Sequence, residues 1–81
     1  MFVYYKIVKE SIYGQSKILN TKYYSIRELK EALNKISITN VQGIDAYVYN
    51  SENNKLLDVL EYYSMEYYSE DVLYKYEKKE K

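Results

Sequence analysis

The feature that most constrains this fold is a single amphipathic helix pattern in a chain whose other segments look like strands. Ser25 and Glu28 have the S-x-x-E spacing of a capping box, which marks the start of a helix. Apolar residues then follow at helical spacing: Ile26, Leu29, Leu33 and Ile36. The pattern predicts a helix from about residue 26 to residue 36 with one apolar stripe, which needs a sheet to pack against.

The N-terminal segments are predicted to form the first two strands. Residues 2–10 alternate β-branched and aromatic side chains, which is typical of a strand. Residues 11–16 contain Gly14 and are predicted to be a turn. A second strand is predicted over 17–24, although its alternation is poorer.

A β-hairpin is predicted after the helix, with its loop at 51–54. The predicted register pairs Val48 with Leu57, Ala46 with Val59, and Tyr49 with Leu56. This register directs five apolar side chains toward the helix: Ile44, Ala46, Val48, Leu57 and Val59. The opposite face then carries Asp45, Tyr47, Tyr49, Leu56, Asp58, Leu60 and Tyr62. That face is too apolar for an ordinary solvated surface, so we expect the C-terminal segment, a second copy or a partner to cover it.

The segment after residue 64 fits both a helix and a strand. Met65, Tyr68, Val72 and Tyr76 fall at helical spacing, whereas the residues from 72 to 76 also alternate as in a strand. We favour a helix slightly, and expect a frayed tail at 78–81. The predicted architecture is one small α+β domain over 1–81, a two-layer ββαββ arrangement with about four mostly antiparallel strands and this C-terminal element.

The composition excludes several kinds of chemistry. The chain has no Cys and no His, which excludes disulfides, thiolate zinc sites and imidazole-dependent nucleophiles. Its two glycines cannot form a phosphate-binding loop, and its carboxylates match no calcium-loop spacing. We therefore expect no enzymatic activity, no cofactor and no metal. No apolar run is long enough to span a bilayer, and the N-terminus shows no signal peptide, so we expect a cytoplasmic protein.

Charge and tyrosine content favour a binding role. Residues 1–40 carry seven Lys/Arg against three Glu, whereas 41–81 carry five Lys against nine Asp/Glu. Thirteen Tyr accompany one Phe and no Trp, and tyrosine is enriched at interface hot spots. Acidic, tyrosine-rich surfaces can bind basic clefts, including those that hold nucleic acid. We predict a small non-enzymatic protein-binding or inhibitor protein whose partner-binding residues are Tyr47, Tyr49, Asp58, Glu61, Tyr62, Tyr63, Glu66, Tyr67 and Tyr68.

Two alternatives stay open. A small nucleic-acid-binding domain would use the basic N-terminal half, through Tyr5, Lys6, Lys9, Lys17, Lys22, Arg27 and Lys30. A net charge of zero and a single arginine make this alternative weaker. A structural homo-oligomer, in its simplest form a homodimer, would bury the apolar outer face of the hairpin.

In size and composition the chain resembles the accessory and inhibitor proteins of phages and mobile elements. It is short, rich in Lys, Asn, Ile and Tyr, and free of Cys and His. The group includes anti-CRISPR-type proteins that block host nucleic-acid machinery. The resemblance implies a partner in a nucleic-acid-handling complex, but it covers only size and composition and assigns no functional residue.

Overall fold

The computed structural model describes residues 2–65 and 67–77, which form one sheet, one α-helix and a short 3-10 helix. The elements are β1 (Val3–Ser11), β2 (Ser16–Ile18), α1 (Ile26–Asn34), β3 (Val41–Asn50), β4 (Leu56–Ser64), β5 (Tyr67–Tyr68) and the 3-10 helix (Glu70–Tyr74). All strand pairs are antiparallel, in the order β2-β1-β3-β4-β5. The predicted α+β class is confirmed, with five strands where about four were expected. The tail predicted at 78–81 lies outside the described residues.

β1 and β3 form the centre of the sheet. Tyr5 lies opposite Val48 and Ile7 opposite Ala46, and all four side chains are buried in the main core. Because side chains alternate along a strand, the residues between them point to the other side of the sheet. The strand predicted at 2–10 is confirmed, and it has buried residues on both faces, since Tyr4 and Val8 lie opposite the side of Tyr5 and Ile7.

The helix α1 begins as its capping box predicts. The backbone N–H of Glu28 donates to Ser25 Oγ at 3.2 Å, and the N–H of Tyr24 donates to Glu28 Oε1 at 3.4 Å. The buried residues of the helix are Ile26, Leu29 and Leu33. The helix ends two residues earlier than predicted because the next two N–H groups donate to carbonyls three residues back, which closes a 3-10 turn.

β2 is shorter than the strand predicted over 17–24. It ends at Ile18, and the chain returns to the sheet only at Tyr23, which exchanges two backbone hydrogen bonds of 2.7 and 2.9 Å with Tyr5. Leu19 still donates its N–H to the carbonyl of Ile7 at 2.8 Å, and the polar residues 20–22 leave the strand pairing. The poor alternation of this segment reflects that interruption.

The β3–β4 hairpin has a β-bulge that the sequence did not predict. Tyr49 lies opposite Leu56, as predicted, but Val48 lies opposite Asp58, so Leu57 is an extra residue in β4. A bulge of this kind shifts the alternation of the strand by one position. The predicted pairing of Val48 with Leu57 is therefore wrong.

Because of this bulge, the side chains that follow it in β4 lie on the faces opposite to those predicted. Leu57 and Val59, predicted to be core residues, are 39% and 40% exposed. Leu60 and Tyr62, predicted on the outer face, are 4% and 8% exposed and belong to the core. Asp58 is likewise on the helix side of the sheet. The prediction for β4 was wrong because it assumed an unbroken period of two.

A second bulge lies near the end of β4. Asp45 pairs with Glu61, but Ile44 pairs with Tyr63, so Tyr62 is the extra residue. Both of these consecutive tyrosines are buried and both belong to the main core. Two bulges in one strand therefore decide which of its side chains enter the core.

The C-terminal segment lies on the same side of the sheet as α1. The chain turns at Met65, which has φ +44°, forms the short strand β5 and then enters the 3-10 helix in place of the longer helix we favoured. Leu73 is fully buried in the main core. Lys30 Nζ of α1 donates to Tyr74 Oη at 2.7 Å. The described part of this segment therefore does not cover the opposite face.

The two leucines that flank Asp58 and Val59 test this register. We expect Leu60→Ala to lower the free energy of unfolding by about 2–4 kcal/mol, because it leaves a cavity in the core. Leu57→Ala, the same chemical change at an exposed position, should cost less than about 1 kcal/mol. Urea denaturation followed by circular dichroism measures both. Equal losses would contradict the observed faces of β4.

Candidate functional site

The candidate site is the outer face, which is the side of the sheet opposite α1. Its members are Tyr4, Lys6, Val8 and Glu10 of β1, Ile18 of β2, Asp45, Tyr47 and Tyr49 of β3, and Leu56, Val59 and Glu61 of β4. Within residues 2–65 and 67–77, both helices lie on the other side of the sheet. The outer face is thus uncovered in the described structure.

Apolar side chains run across the middle of the outer face. Tyr47 lies between Lys6 of β1 and Val59 of β4, in one row across three strands. Leu56, opposite Tyr49, and Val59, opposite Tyr47, are both exposed on this face. A contiguous row of this kind is typical of a binding surface.

Stacked tyrosines occupy one end of the outer face. The rings of Tyr4 and Tyr49 stack with centroids 5.1 Å apart at an interplanar angle of 9°, and Tyr24 packs against Tyr4 at 5.7 Å. The Tyr4 hydroxyl donates to Asn54 Oδ1 at 2.8 Å. With its ring only 3% exposed and its hydroxyl bonded, Tyr4 supports this end of the face.

Two lysines lie over these rings and form the basic end of the outer face. Lys22 Nζ is 4.8 Å from the centroid of the Tyr4 ring, and Lys6 Nζ is 5.8 Å from that of Tyr49. Both distances fall within the range of cation–π attraction. Neither lysine has a carboxylate partner among the described residues.

Three carboxylates form the acidic end, at the other end of the same face. Asp45 is the cross-strand partner of Glu61 and of Val8, and Glu10 lies one row further along β1. Burial raises the pKa of Asp45, and repulsion from Glu61 and Glu10 raises it further. In residues 2–65 and 67–77 these three carboxylates form no ion pair. The acidic end therefore holds negative charge without compensation.

The nine predicted partner-binding residues do not form one surface. Tyr47, Tyr49 and Glu61 lie on the outer face. Tyr67 is 73% exposed, but its strand β5 is at the edge of the sheet. Glu66 lies outside the described residues.

Asp58 is a structural residue on the helix side of the sheet. Its Oδ2 accepts hydrogen bonds from Lys75 Nζ and Tyr76 Oη, both at 2.8 Å, and its Oδ1 accepts one from the backbone N–H of Val59 at 2.7 Å. The bond from Lys75 is the main cause of a lowered pKa at Asp58. This carboxylate links β4 to the C-terminal segment, so it does not belong to the outer face where it was predicted.

Tyr62 and Tyr63 are core residues and are not an exposed surface. Tyr68 is half exposed, and its ring packs against both of them, with centroids 5.6 and 4.8 Å away. The pair Tyr62 and Tyr63 therefore contributes to the stability of the fold. The next Tyr-Tyr pair in the chain, Tyr67 and Tyr68, keeps exposed ring area at the sheet edge.

The residues of the nucleic-acid alternative are dispersed. Tyr5 is 2% exposed, so its ring is not available to stack on a base. The six cations fall on three surfaces: Lys6 and Lys22 on the outer face, Lys9 and Lys17 opposite each other on the helix side of β1 and β2, and Arg27 and Lys30 on α1. Arg27 and Lys30 also pair with carboxylates of this chain, at 3.7 and 3.4 Å. This arrangement does not give one basic groove.

The sequence interpretation missed most of the β1 contribution to the outer face. Val8 and Glu10 were not assigned to any site, and Val59 was assigned to the core. The available signal was the presence of Tyr4 and Val8 on the side of β1 that also carries Lys6 and Glu10, since a strand with one fully solvated side would carry mainly polar residues there. No comparable signal in the sequence indicated that Val59 would lie on the outer face and not in the core.

Comparison with protein-family models, with curated proteins and with solved structures gave no match. No helix in the described part of the chain is both long and apolar enough to cross a membrane. Among the same residues, no group of three or more His, Cys, Asp or Glu side chains is placed to hold a metal ion.

Variants of Tyr63 and Tyr67 test the assignment of Tyr63 to the core and of Tyr67 to the exposed edge of the sheet. We expect Tyr63→Ala to lower the free energy of unfolding by about 3 kcal/mol or more, as for other buried aromatic residues. Tyr67→Ala should change it by about 0.5 kcal/mol or less. Thermal and urea denaturation provide the measurement. Similar stability of the two variants would show that Tyr63 is not buried.

A substitution of Asp45 tests whether the negative charge of the acidic end lowers the free energy of unfolding. A raised pKa means that the folded state disfavours the charged carboxylate, so Asp45→Asn should raise the free energy of unfolding at pH 7. The gain should shrink as the pH falls through the raised folded-state pKa, and vanish below the unfolded value of about 3.9. Glu52→Gln, which removes an exposed carboxylate in the β3–β4 loop, is the matched control. A gain that does not vary with pH would contradict this assignment.

Proposed function

We propose that this protein is a small non-enzymatic binding protein that uses its outer face to bind a protein partner carrying a basic surface. The observation that supports the proposal is the combination on one uncovered face of an apolar row and three unpaired carboxylates. A partner's lysines or arginines would compensate Glu10, Asp45 and Glu61. Apolar contacts on Tyr47 and Val59 would supply affinity.

The interface would be built around rigid side chains. Tyr49 is already held by the stacked ring of Tyr4, and Tyr47 sits between neighbours on both sides. Such side chains lose little conformational freedom on binding, which favours affinity. The raised pKa of Asp45, caused mainly by burial and further by repulsion from Glu61 and Glu10, fits the same role, because a nearby cation would favour the charged form of the carboxylate.

An inhibitor role extends this proposal. Carboxylates can take the place of phosphates in a basic cleft, and the size and composition of the chain resemble those of phage and mobile-element inhibitors, including anti-CRISPR-type proteins. A nucleic-acid-handling complex is therefore the partner class we put forward. The support for this step is the chemistry of the acidic end together with that resemblance.

Site-specific photo-crosslinking in the native host tests the proposal. A benzophenone amino acid at Val59 should capture a partner, whereas the same probe at the exposed Tyr13 in the β1–β2 turn should not. Mass spectrometry of the crosslinked peptide identifies the contact, which we expect to be rich in Lys and Arg. An acidic-end variant, Glu10→Lys with Glu61→Lys, should reduce capture at least tenfold.

A charge reversal at the basic end provides the control. Lys6→Glu with Lys22→Glu should leave capture of a basic partner intact, because it makes the face more negative. Equal capture by wild type and the acidic-end variant would overturn the proposal. Crosslinks to RNA or single-stranded DNA, lost in the basic-end variant, would instead support the nucleic-acid alternative.

A further inference from the structure

The charges of the outer face are separated along its strands. Lys6 and its neighbour Tyr4 lie in the N-terminal half of β1, and Lys22 lies over the Tyr4 ring. The acidic residues lie toward the other end of the same strands, where Glu10 faces Gly43. Two uncompensated cations and three uncompensated anions thus occupy opposite ends of one surface.

Apolar side chains lie in the same rows as these charges: Tyr47 is beside Lys6, and Val8 is beside Asp45. Val8 and Tyr47 occupy the central strands, and Ile18 and Val59 flank them on the neighbouring strands. A face with this arrangement is complementary to itself once it is turned end over end, because each basic end then meets an acidic end and the apolar side chains of one copy meet those of the other. No chain of different composition is needed to satisfy both ends.

We propose that the outer face binds the outer face of a second copy of this chain, through a two-fold axis that lies between the two sheets. The basic end of each copy, Lys6 and Lys22, then lies over the acidic end of the other. Two antiparallel sheets can pack face to face in this way about 10 Å apart, with interdigitating side chains. The contact is isologous, so it closes as a dimer and does not extend into a filament.

The small area of the outer face indicates a weak dimer whose two copies separate and re-associate readily. Strands lie about 4.8 Å apart and rise about 3.3 Å per residue, so the outer face projects to an area on the order of 400 Å². A standard stable interface buries roughly 800 Å² on each partner. The dimer would therefore be weak enough for another protein to displace one copy. This inference rests on the proposed function in using the same face, and the second copy would compete with the partner.

Charge-reversal variants of the purified protein test the dimer without any partner present. The average mass of wild type, by sedimentation velocity over about a hundredfold concentration range, should rise from 9.8 kDa toward twice that value. The basic-end variant (Lys6→Glu with Lys22→Glu) and the acidic-end variant (Glu10→Lys with Glu61→Lys) should each weaken dimerisation at least tenfold. An equimolar mixture of the two should form a heterodimer, because each reversed end then meets an opposite charge.

The control variant is Lys35→Glu with Lys55→Glu. It changes the net charge by the same amount as the basic-end variant, but its two positions lie off the outer face. We expect it to dimerise as wild type does. Circular dichroism checks that each variant folds, and the single change Lys22→Glu, at an exposed side chain, replaces the basic-end pair if Lys6→Glu does not fold. Wild type that stays at 9.8 kDa throughout, or mixing that restores nothing, would overturn the dimer. The proposed function fails on a different result, equal partner capture by wild type and the acidic-end variant, so the two failures are distinguishable.

Discussion

The two β-bulges of β4 decide how the rest of the molecule is arranged. The bulge at Leu57 turns Leu60 into the core, and the bulge at Tyr62 brings Tyr63 in beside it. With a regular period of two, β4 would instead present Leu57 and Val59 to the helix. Because the bulges reverse this, the core gains larger side chains, Val59 lies exposed on the outer face, and Leu57 is exposed at the bulge. The candidate binding surface is therefore a direct consequence of the backbone irregularity that completes the core.

The helix side of β4 is closed by polar contacts as well as by packing. Leu73 fills the core, while Asp58 receives hydrogen bonds from Lys75 and Tyr76, and Lys30 of α1 bonds to Tyr74. These contacts direct the C-terminal segment to the side already occupied by α1. The outer face consequently has no covering element in residues 2–65 and 67–77, although its central row is as apolar as many interfaces.

Local signals in the sequence predicted α1, β1 and the β3–β4 hairpin, but not the register of the hairpin or the C-terminal elements. The capping box of Ser25 and Glu28 predicts α1, because both bonds form within a few residues of each other. A bulge depends on how two distant strands fit, and the alternation around Leu57 gives no sign of it. The outer face was predicted in part for the same reason: Tyr47 and Tyr49 of β3 lie on it as predicted, whereas Asp58 and Tyr62 of β4 do not.

The preference for tyrosine over phenylalanine follows from the shape of the fold. The molecule is only 18 Å thick along its shortest axis, so a ring that reaches the core leaves its far end near the surface. Tyr4, Tyr74 and Tyr76 use that end, with hydroxyls bonded to Asn54, Lys30 and Asp58. A phenylalanine at these positions would fill the same volume but lose the bond that fixes the ring. Structural demand therefore accounts for many of the tyrosines, and the argument for binding rests on the few that lie on the outer face beside unpaired charge.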